Sequence, residues 1–277
     1  MKKKLCPLHI ILSTITCASI SLSAQADEYQ LATYFGLIDN NAYTTTVSAG
    51  LTYYFDPVDD SHGPKSLAPL LNKSSGVNLN YKYIASFPSD DSRDNIINPT
   101  LNINWVFDNN MYVEYHQMFE WTNYRSSSSI TTDEHGNKFT VGYIFDNESY
   151  LEISDYATRD NKQNYHHSVD VSGGHLFRLE NDKYIYMSGQ FSQFINEDHN
   201  YDGESIKLSG SFFLNTDLGI HGSLKSVNFR AADSNNIRTL GTRYFFSNTL
   251  SASLTMERGN LGDFDYDRHY MSLSKRF

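Results

Sequence analysis

The feature that most limits what this chain can fold into is a regular alternation of two kinds of side chain. In residues 43–55, YTTTVSAGLTYYF, apolar and aromatic residues occupy most alternate positions, and Thr, Ser, Gly and Tyr occupy the positions between them. A period of two residues is that of a β-strand, whose successive side chains point to opposite faces. The alternation recurs in residues 77–83, 100–107, 206–212 and 250–257. The sequence therefore predicts a sheet with one apolar and one polar face.

Turns divide these runs in a regular way. Short Asn- and Asp-rich turns fall at residues 108–110, 146–148, 180–182, 215–217 and 247–248, with longer polar stretches between them. Each run is close to the roughly 9–11 residues that a tilted strand needs to cross a bilayer. Short turns at one end and long loops at the other are typical of outer-membrane barrels. The prediction is an all-β fold, a transmembrane antiparallel up-and-down β-barrel, with a soluble β-sandwich as the alternative.

About fourteen strands fit into the chain. An even number brings both termini of the chain to the periplasmic side, as in single-chain bacterial barrels. The first strand, residues 29–38, alternates poorly, and without it and its partner a barrel of twelve strands remains. The predicted strands are residues 29–38, 43–55, 75–86, 97–107, 111–122, 138–146, 149–157, 165–178, 183–194, 204–214, 218–228, 237–246, 249–258 and 267–277.

The start of the sequence has the organisation of a secretory signal. An apolar run, residues 5–22, follows three consecutive lysines, and Ala24 and Ala26 supply the small residues that signal peptidase requires. We therefore expect a Sec-type signal peptide, residues 1–26, that is cleaved to leave the barrel, residues 27–277. The expected location is the outer membrane of a Gram-negative cell.

The composition of the expected mature chain excludes two classes of chemistry. Both cysteines, Cys6 and Cys17, lie in the signal peptide, so neither disulfides nor thiols support the barrel. Loss of three lysines leaves 19 basic and 32 acidic residues, and the formal charge changes from −10 to −13. Nucleic-acid binding is not expected, because phosphate neutralisation needs clustered Lys and Arg.

Aromatic residues mark one end of the predicted strands. Strands that run towards a short turn end in pairs such as Tyr53 and Phe55, and Phe277 ends the last strand in the same register. Aromatic rings are favoured at the border of the lipid. We predict a periplasmic aromatic girdle that contains Phe55, Trp105, Phe107, Phe145, Phe246 and Phe277.

One stretch supports a resemblance to a known family. Residues 51–83, LTYYFDPVDDSHGPKSLAPLLNKSSGVNLNYKY, resemble the corresponding part of a porin family of gamma-proteobacteria, in which a Tyr-Phe-x-Pro-Val strand end precedes Gly-Pro and a leucine-bearing segment. The strand number and size resemble the monomeric outer-membrane protein G type. The resemblance implies a Gram-negative outer-membrane porin, expected as a monomer. It also implies insertion by the barrel-assembly machinery, which reads a terminal aromatic strand.

The polar faces indicate what lines the lumen. A barrel of fourteen strands is wider than the eight-stranded barrels that side chains fill, so a wet lumen is expected. Charges of both signs favour a polar path for small solutes and ions. The predicted pore-lining residues are Lys82, Glu114, His116, Glu120, Glu152, Asp170, Lys207, Lys225, Arg243 and Glu257.

The predicted function is passive diffusion of small hydrophilic solutes or ions, without cofactor, metal or catalytic residue. The expected contacts are outer-membrane lipid and lipopolysaccharide. The alternatives are a non-conducting structural or adhesion barrel and, third, a barrel enzyme.

Residues 56–74 break the rule of short turns, and Leu67, Leu70 and Leu71 lie at helical spacing. They predict a helical turn that either narrows the barrel mouth or lies at the membrane edge.

Overall fold

We analysed a computed structural model of the chain. The structure describes residues 28–40, 44–86, 95–123, 131–160, 165–196, 202–230, 234–261 and 264–277. The expected signal peptide, residues 1–26, lies outside the described residues.

The described residues form fourteen antiparallel strands in one closed barrel, as the sequence predicts. Each strand pairs with its neighbours in the chain, and the first pairs with the last. The strands are β1 (Glu28–Asn40), β2 (Thr44–Asp59), β3 (Gly76–Ser86), β4 (Asn95–Val106), β5 (Met111–Asn123), β6 (Thr131–Ile144), β7 (Ser149–Asp160), β8 (Tyr165–Arg178), β9 (Tyr184–Asn196), β10 (Gly203–Phe213), β11 (Leu218–Phe229), β12 (Asn235–Phe245), β13 (Leu250–Leu261) and β14 (Phe264–Arg276).

Several strands differ in their ends from the predictions, and two of them differ by more than three residues at one end. Strand β6 begins at Thr131 and not at residue 138, since its polar first half pairs with the end of β5. Backbone pairing needs no apolar face there. Strand β2 continues past residue 55 to Asp59, beyond a register shift where it meets β1. Strand β1, whose alternation is poor, is held by pairing with both β2 and β14.

The connection between β2 and β3 contains the described helical residues. A 3-10 turn, Lys65–Leu67, leads into a four-residue helix, α1 (Ala68–Leu71). Among the described residues, no helix is long and apolar enough to cross a membrane.

The two faces of the sheet differ in chemistry. Large apolar side chains point outwards and are exposed, for example Leu208 at 60% and Leu224 at 59%. The inner face carries hydroxyl pairs such as Thr140 and Ser154, whose side-chain oxygens lie 2.9 Å apart and are both buried. In a soluble protein, apolar side chains lie inside and polar side chains lie outside. The barrel has the opposite arrangement, which suits a surrounding of lipid.

The outward and inward faces of β10 predict different losses of stability for substitutions at two neighbouring residues. Leu208→Lys places a charge on the lipid face near mid-depth and is expected to lower the free energy of unfolding by about 2–4 kcal/mol. Ser209→Lys, one residue further, faces the lumen beside Lys207 and is expected to change it by less than about 1 kcal/mol, because water solvates the charge. Reversible urea unfolding in lipid vesicles measures both values. Equal losses would contradict the assigned faces.

Candidate functional site

The predicted pore-lining residues all occupy inward-facing positions of the barrel. Each lies next to a large apolar residue that points outwards, as Glu152 does between Leu151 and Ile153. A role in conduction remains a prediction for them. The ten residues are Lys82 on β3, Glu114, His116 and Glu120 on β5, Glu152 on β7, Asp170 on β8, Lys207 on β10, Lys225 on β11, Arg243 on β12 and Glu257 on β13.

The acidic residues of this wall are concentrated on one side of the ring, in β5 to β8. Asn102 Nδ2 donates a hydrogen bond to Glu114 Oε1 at 3.0 Å, and Asn98 Nδ2 donates to Glu120 Oε2 at 3.1 Å. Lys138 is a cation within this group, 3.8 Å from Asp170. The acidic wall consists of Glu114, Glu120, Glu134, Glu152 and Asp170.

Local packing fixes the position of Glu152 in the acidic wall. The hydroxyls of Tyr112 and Ser172 both donate to its carboxylate. The ring of Tyr112 can lie flat along the wall because the neighbouring strand has Gly142 at that point, where an added Cβ would lie 2.4 Å from the ring. The glycine therefore allows the close approach that holds the carboxylate in place.

Most of the inward basic residues lie on the other side of the ring, in β10 to β14, whereas Lys82 is on β3 and Lys138 is on β6. Strands β6 and β13 are seven places apart in a ring of fourteen, so the two groups face each other across the lumen. Glu257 is an acid within the basic group, and its Oε1 lies 3.4 Å from Arg268 and 3.2 Å from the Tyr270 hydroxyl. The basic wall consists of Lys207, Lys225, Arg243 and Arg268.

Residues 56–74, which we call the mouth segment, fold across the opening at the short-turn end of the barrel. Ala68 packs against Tyr29 of β1 and Val58 of β2. Leu67 and Leu71 pack against a different cluster, which consists of Leu176 of β8, Tyr184 of β9 and Phe213 of β10. Strands β1 and β8 are seven places apart in the ring, so the segment spans the opening from one side to the other.

Two lysines attach the mouth segment to four separate turns. Lys65 Nζ lies 2.7 Å from Asp217 and donates to Asn248 at 2.6 Å, in the turns before β11 and β13. At the other end of the segment, Lys73 Nζ reaches two further turns, with Asn110 at 2.8 Å and Asp146 at 3.2 Å.

A buried arginine of β14 completes the attachment. Arg276 donates to Asp60 Oδ2 at 2.8 Å and to the Lys65 carbonyl at 2.6 Å. Its guanidinium also lies 4.3 Å from the ring centre of Tyr29 and 4.5 Å from that of Phe245. The side chains of Asp60 and Arg276 are both buried, at 3% and 9% exposure. The mouth segment is thus fixed to the strand that closes the barrel.

Two cavities lie in the lumen next to the segment. A cavity of about 580 Å³ lies above its Ser66 and Leu67, against the basic wall, and includes Arg243, Glu257 and Tyr270. A second cavity of about 440 Å³ also reaches Arg243 and is lined by Ser66 and Pro69. Arg243 therefore lies at the meeting point of both cavities.

Sequence reasoning identified the leucines of the mouth segment but not their partners. A signal was present: Leu176, Phe213 and Phe245 are apolar residues on inward-facing positions, and all three lie where their strands reach the short turns. Phe213 follows the outward Phe212 in the sequence, but it is 5% exposed and lies against the segment.

The predicted girdle residues lie at the same end. The rings of Phe55 and Trp105 lie 5.5 Å apart on the outer surface. Phe277 has its ring 4.8 Å from Lys275 Nζ, and its carbonyl accepts hydrogen bonds from the backbone of Gln30 and Leu31. Contact of these rings with lipid remains a prediction.

The described residues contain no group of three or more His, Cys, Asp or Glu side chains that could hold a metal ion. The site is a polar wall with a segment across one end. It can bind and order polar solutes and ions through hydrogen bonds and charge.

These features define an outer-membrane β-barrel of the channel class. The family model described as "Putative general bacterial porin" matches residues 1–277, so the chain belongs to this family of porins. A search of curated proteins found no match to the sequence.

Solved structures share the fold. The chain is similar to the outer-membrane protein Omp33 of Acinetobacter baumannii, with 17% identity and a TM-score of 0.59 over 91% of this chain and 100% of the other. It is similar to the CymD monoaromatic hydrocarbon channel, with 7% identity and a TM-score of 0.60 over 91% and 89%. It is also similar to the toluene transporter TodX of Pseudomonas putida, with 11% identity and a TM-score of 0.55 over 91% and 90%. At these identities the likeness shows the fold alone.

The buried contact between Asp60 and Arg276 predicts a non-additive loss of stability. Asp60→Leu leaves the arginine buried without its carboxylate, and Arg276→Met leaves the carboxylate without its cation. Each change is expected to lower the free energy of unfolding by about 3–5 kcal/mol, whereas the double variant loses less than the sum. Urea unfolding of the four proteins in lipid vesicles gives the coupling. Additive losses would show that the pair does not hold the segment.

Proposed function

We propose that this porin allows small hydrophilic solutes and ions to diffuse passively across the outer membrane. One observation carries the proposal: a closed ring of strands has an apolar outer face and a charged, hydrogen-bonding inner face. Water and polar solutes are favoured along such a wall, and it needs no covalent chemistry. We assign no catalytic residue.

The narrowest part of the path is the mouth segment. Barrels of 16 to 18 strands leave an aqueous channel, and fourteen strands enclose a smaller one. The segment reaches both sides of that opening and is attached to five points of the rim, which are four turns and β14. Solute size is therefore set at the short-turn end, which faces the periplasm in barrels of this class.

The opposed walls set the ion preference. Field lines run across the lumen from the basic wall to the acidic wall, so a passing cation is drawn towards β5 to β8 and an anion towards β10 to β14. A solute with both charges gains from both walls, provided that it orients across the lumen.

This arrangement predicts opposite effects of two neutral substitutions. Glu114→Gln removes a carboxylate from the acidic wall and is expected to lower the cation-to-anion permeability ratio. Arg243→Gln removes a cation from the basic wall and is expected to raise it. Reversal potentials of single channels in a planar bilayer under a salt gradient measure the ratio. Thr239→Asn, which changes no charge on the same wall, serves as the control. Shifts in the same direction would contradict the opposed walls.

A second candidate function is a barrel whose path is closed until the mouth segment moves, and the five attachment points favour it. Replacement of residues 65–71 by a Gly-Ser linker removes the crossing part of the segment and is expected to raise the single-channel conductance several-fold over the wild type. Wild-type protein that conducts in steady steps supports the open porin. Silent wild-type protein with a conducting linker variant supports the closed barrel, and silence of both contradicts each candidate.

We propose further that residues 1–26 direct export and are removed, that the barrel-assembly machinery inserts the chain, and that the barrel works as a monomer in contact with lipid and lipopolysaccharide. N-terminal sequencing of protein isolated from outer membranes tests the cleavage after Ala26. A first residue other than Asp27 would move the boundary.

A further inference from the structure

An unusual pair of like charges lies on the outer surface of the barrel. Arg238 of β12 and Arg258 of β13 are direct partners across the two antiparallel strands. Both point outwards, since each continues the row of outward apolar residues on its strand, and both are exposed. Like charges directly opposite each other destabilise a sheet. A ligand of opposite charge between them would remove that repulsion.

The two guanidinium groups make few contacts within the barrel, so such a ligand can reach both of them. Arg258 Nε lies 3.6 Å from Asp267 Oδ1 on β14, and the arginine side chain is still 73% exposed. Among the described residues, Arg238 has no hydrogen-bond or ion-pair partner. The three side chains together retain a net positive charge. The strongest acceptor for two neighbouring guanidinium groups is a phosphate, which can accept paired hydrogen bonds from each.

The depth of the pair in the membrane identifies the source of the phosphate. Leu240 and Met256 are the direct partners one step nearer the short-turn end, and both are exposed apolar residues. The outward apolar band on these two strands therefore ends immediately before the arginines. Arg258 is eight residues from Leu250, the outward residue at the turn, and eight residues of a strand tilted by about 40° rise roughly 20 Å. The pair thus lies near the upper border of an apolar band about 25 Å tall, and long side chains extend beyond it.

We propose that Arg238 and Arg258 form a binding site for a phosphate group of lipopolysaccharide in the outer leaflet. The acyl chains of the same lipid lie along Leu240 and Met256, so one molecule meets both the apolar band and the two cations. On the loop side of the pair, Asn236 N donates to Asn260 Oδ1, and the exposed Asp265, the strand partner of Asn260, limits the site in that direction. The site lies on the outer surface and is independent of the lumen.

The test compares lipid binding by the wild type and by Arg238→Gln/Arg258→Gln, each as folded full-length barrel in detergent. Native mass spectrometry titrates bisphosphorylated lipid A, the same lipid without its phosphates, and inorganic phosphate. The double variant is expected to bind the bisphosphorylated lipid on the order of tenfold more weakly. The variant Arg238→Lys/Arg258→Lys keeps both charges without the planar fork and is expected to lie in between. Arg159→Gln, on the opposite side of the barrel at the same end, is the matched control and is expected to bind as the wild type does.

Four outcomes would overturn the proposal. These are unchanged binding by the double glutamine variant, equal binding of the lipid without phosphates, an equal loss in Arg159→Gln, and binding of inorganic phosphate as tight as that of the lipid. The last outcome would assign the pair to free phosphate and not to a membrane lipid. Heat-dependent migration on gels confirms that each variant is a folded barrel, so weaker binding cannot come from loss of the fold.

Discussion

The backbone hydrogen bonds between β1 and β14 are the constraint on which the rest of the structure depends. Lipid offers no partner to a free N–H or C=O group, so a sheet in a membrane must close on itself. Nine residue pairs join the two strands, from Ala32 with Arg276 to Asn40 with Arg268. Once the ring is closed, the alternation of side chains leaves only one possible arrangement, with apolar residues towards lipid and polar residues towards the lumen. The poor alternation of β1 matters little, because its position is set by both neighbours.

The contact between β1 and β14 also positions the mouth segment at the short-turn end of the barrel. Arg276 lies in β14, and its backbone belongs to the closing ladder while its side chain reaches Asp60 and the Lys65 carbonyl. One residue, Arg276, therefore takes part both in closing the ring and in holding the mouth segment. A change that weakens the pairing of β1 with β14 is expected to loosen the segment, whereas the turn contacts of Lys65 and Lys73 hold its middle and its C-terminal end.

The sequence predicted what repeats and missed what is brought together over long distances. An alternation of side chains with a period of two residues is a local pattern, and residues such as Tyr53 and Leu208 belong to it. The fourteen strands and their inward positions can therefore be predicted from the sequence. Helical spacing likewise predicts a turn around Leu67 and Leu71. Their partners in β8 to β10 lie more than one hundred residues away, and Arg276 is separated from Asp60 by 216 residues. No local pattern encodes such contacts. The opposed walls were missed for a related reason, since their sorting depends on the ring order of strands and not on any single strand.

Apolar residues on the inner face show how the sequence reconciles a wet lumen with a segment packed inside it. Most inward side chains in the middle of strands carry hydroxyls, amides or charges, whereas Ile144, Leu176, Phe213 and Phe245 are inward, buried and close to the short turns. A segment could not stay in a uniformly polar barrel, because water would compete for every contact it made. A uniformly apolar lumen would instead exclude the solutes. The cluster of apolar inward residues at this end gives the segment a place to pack, and the charged walls beyond it remain free to face water.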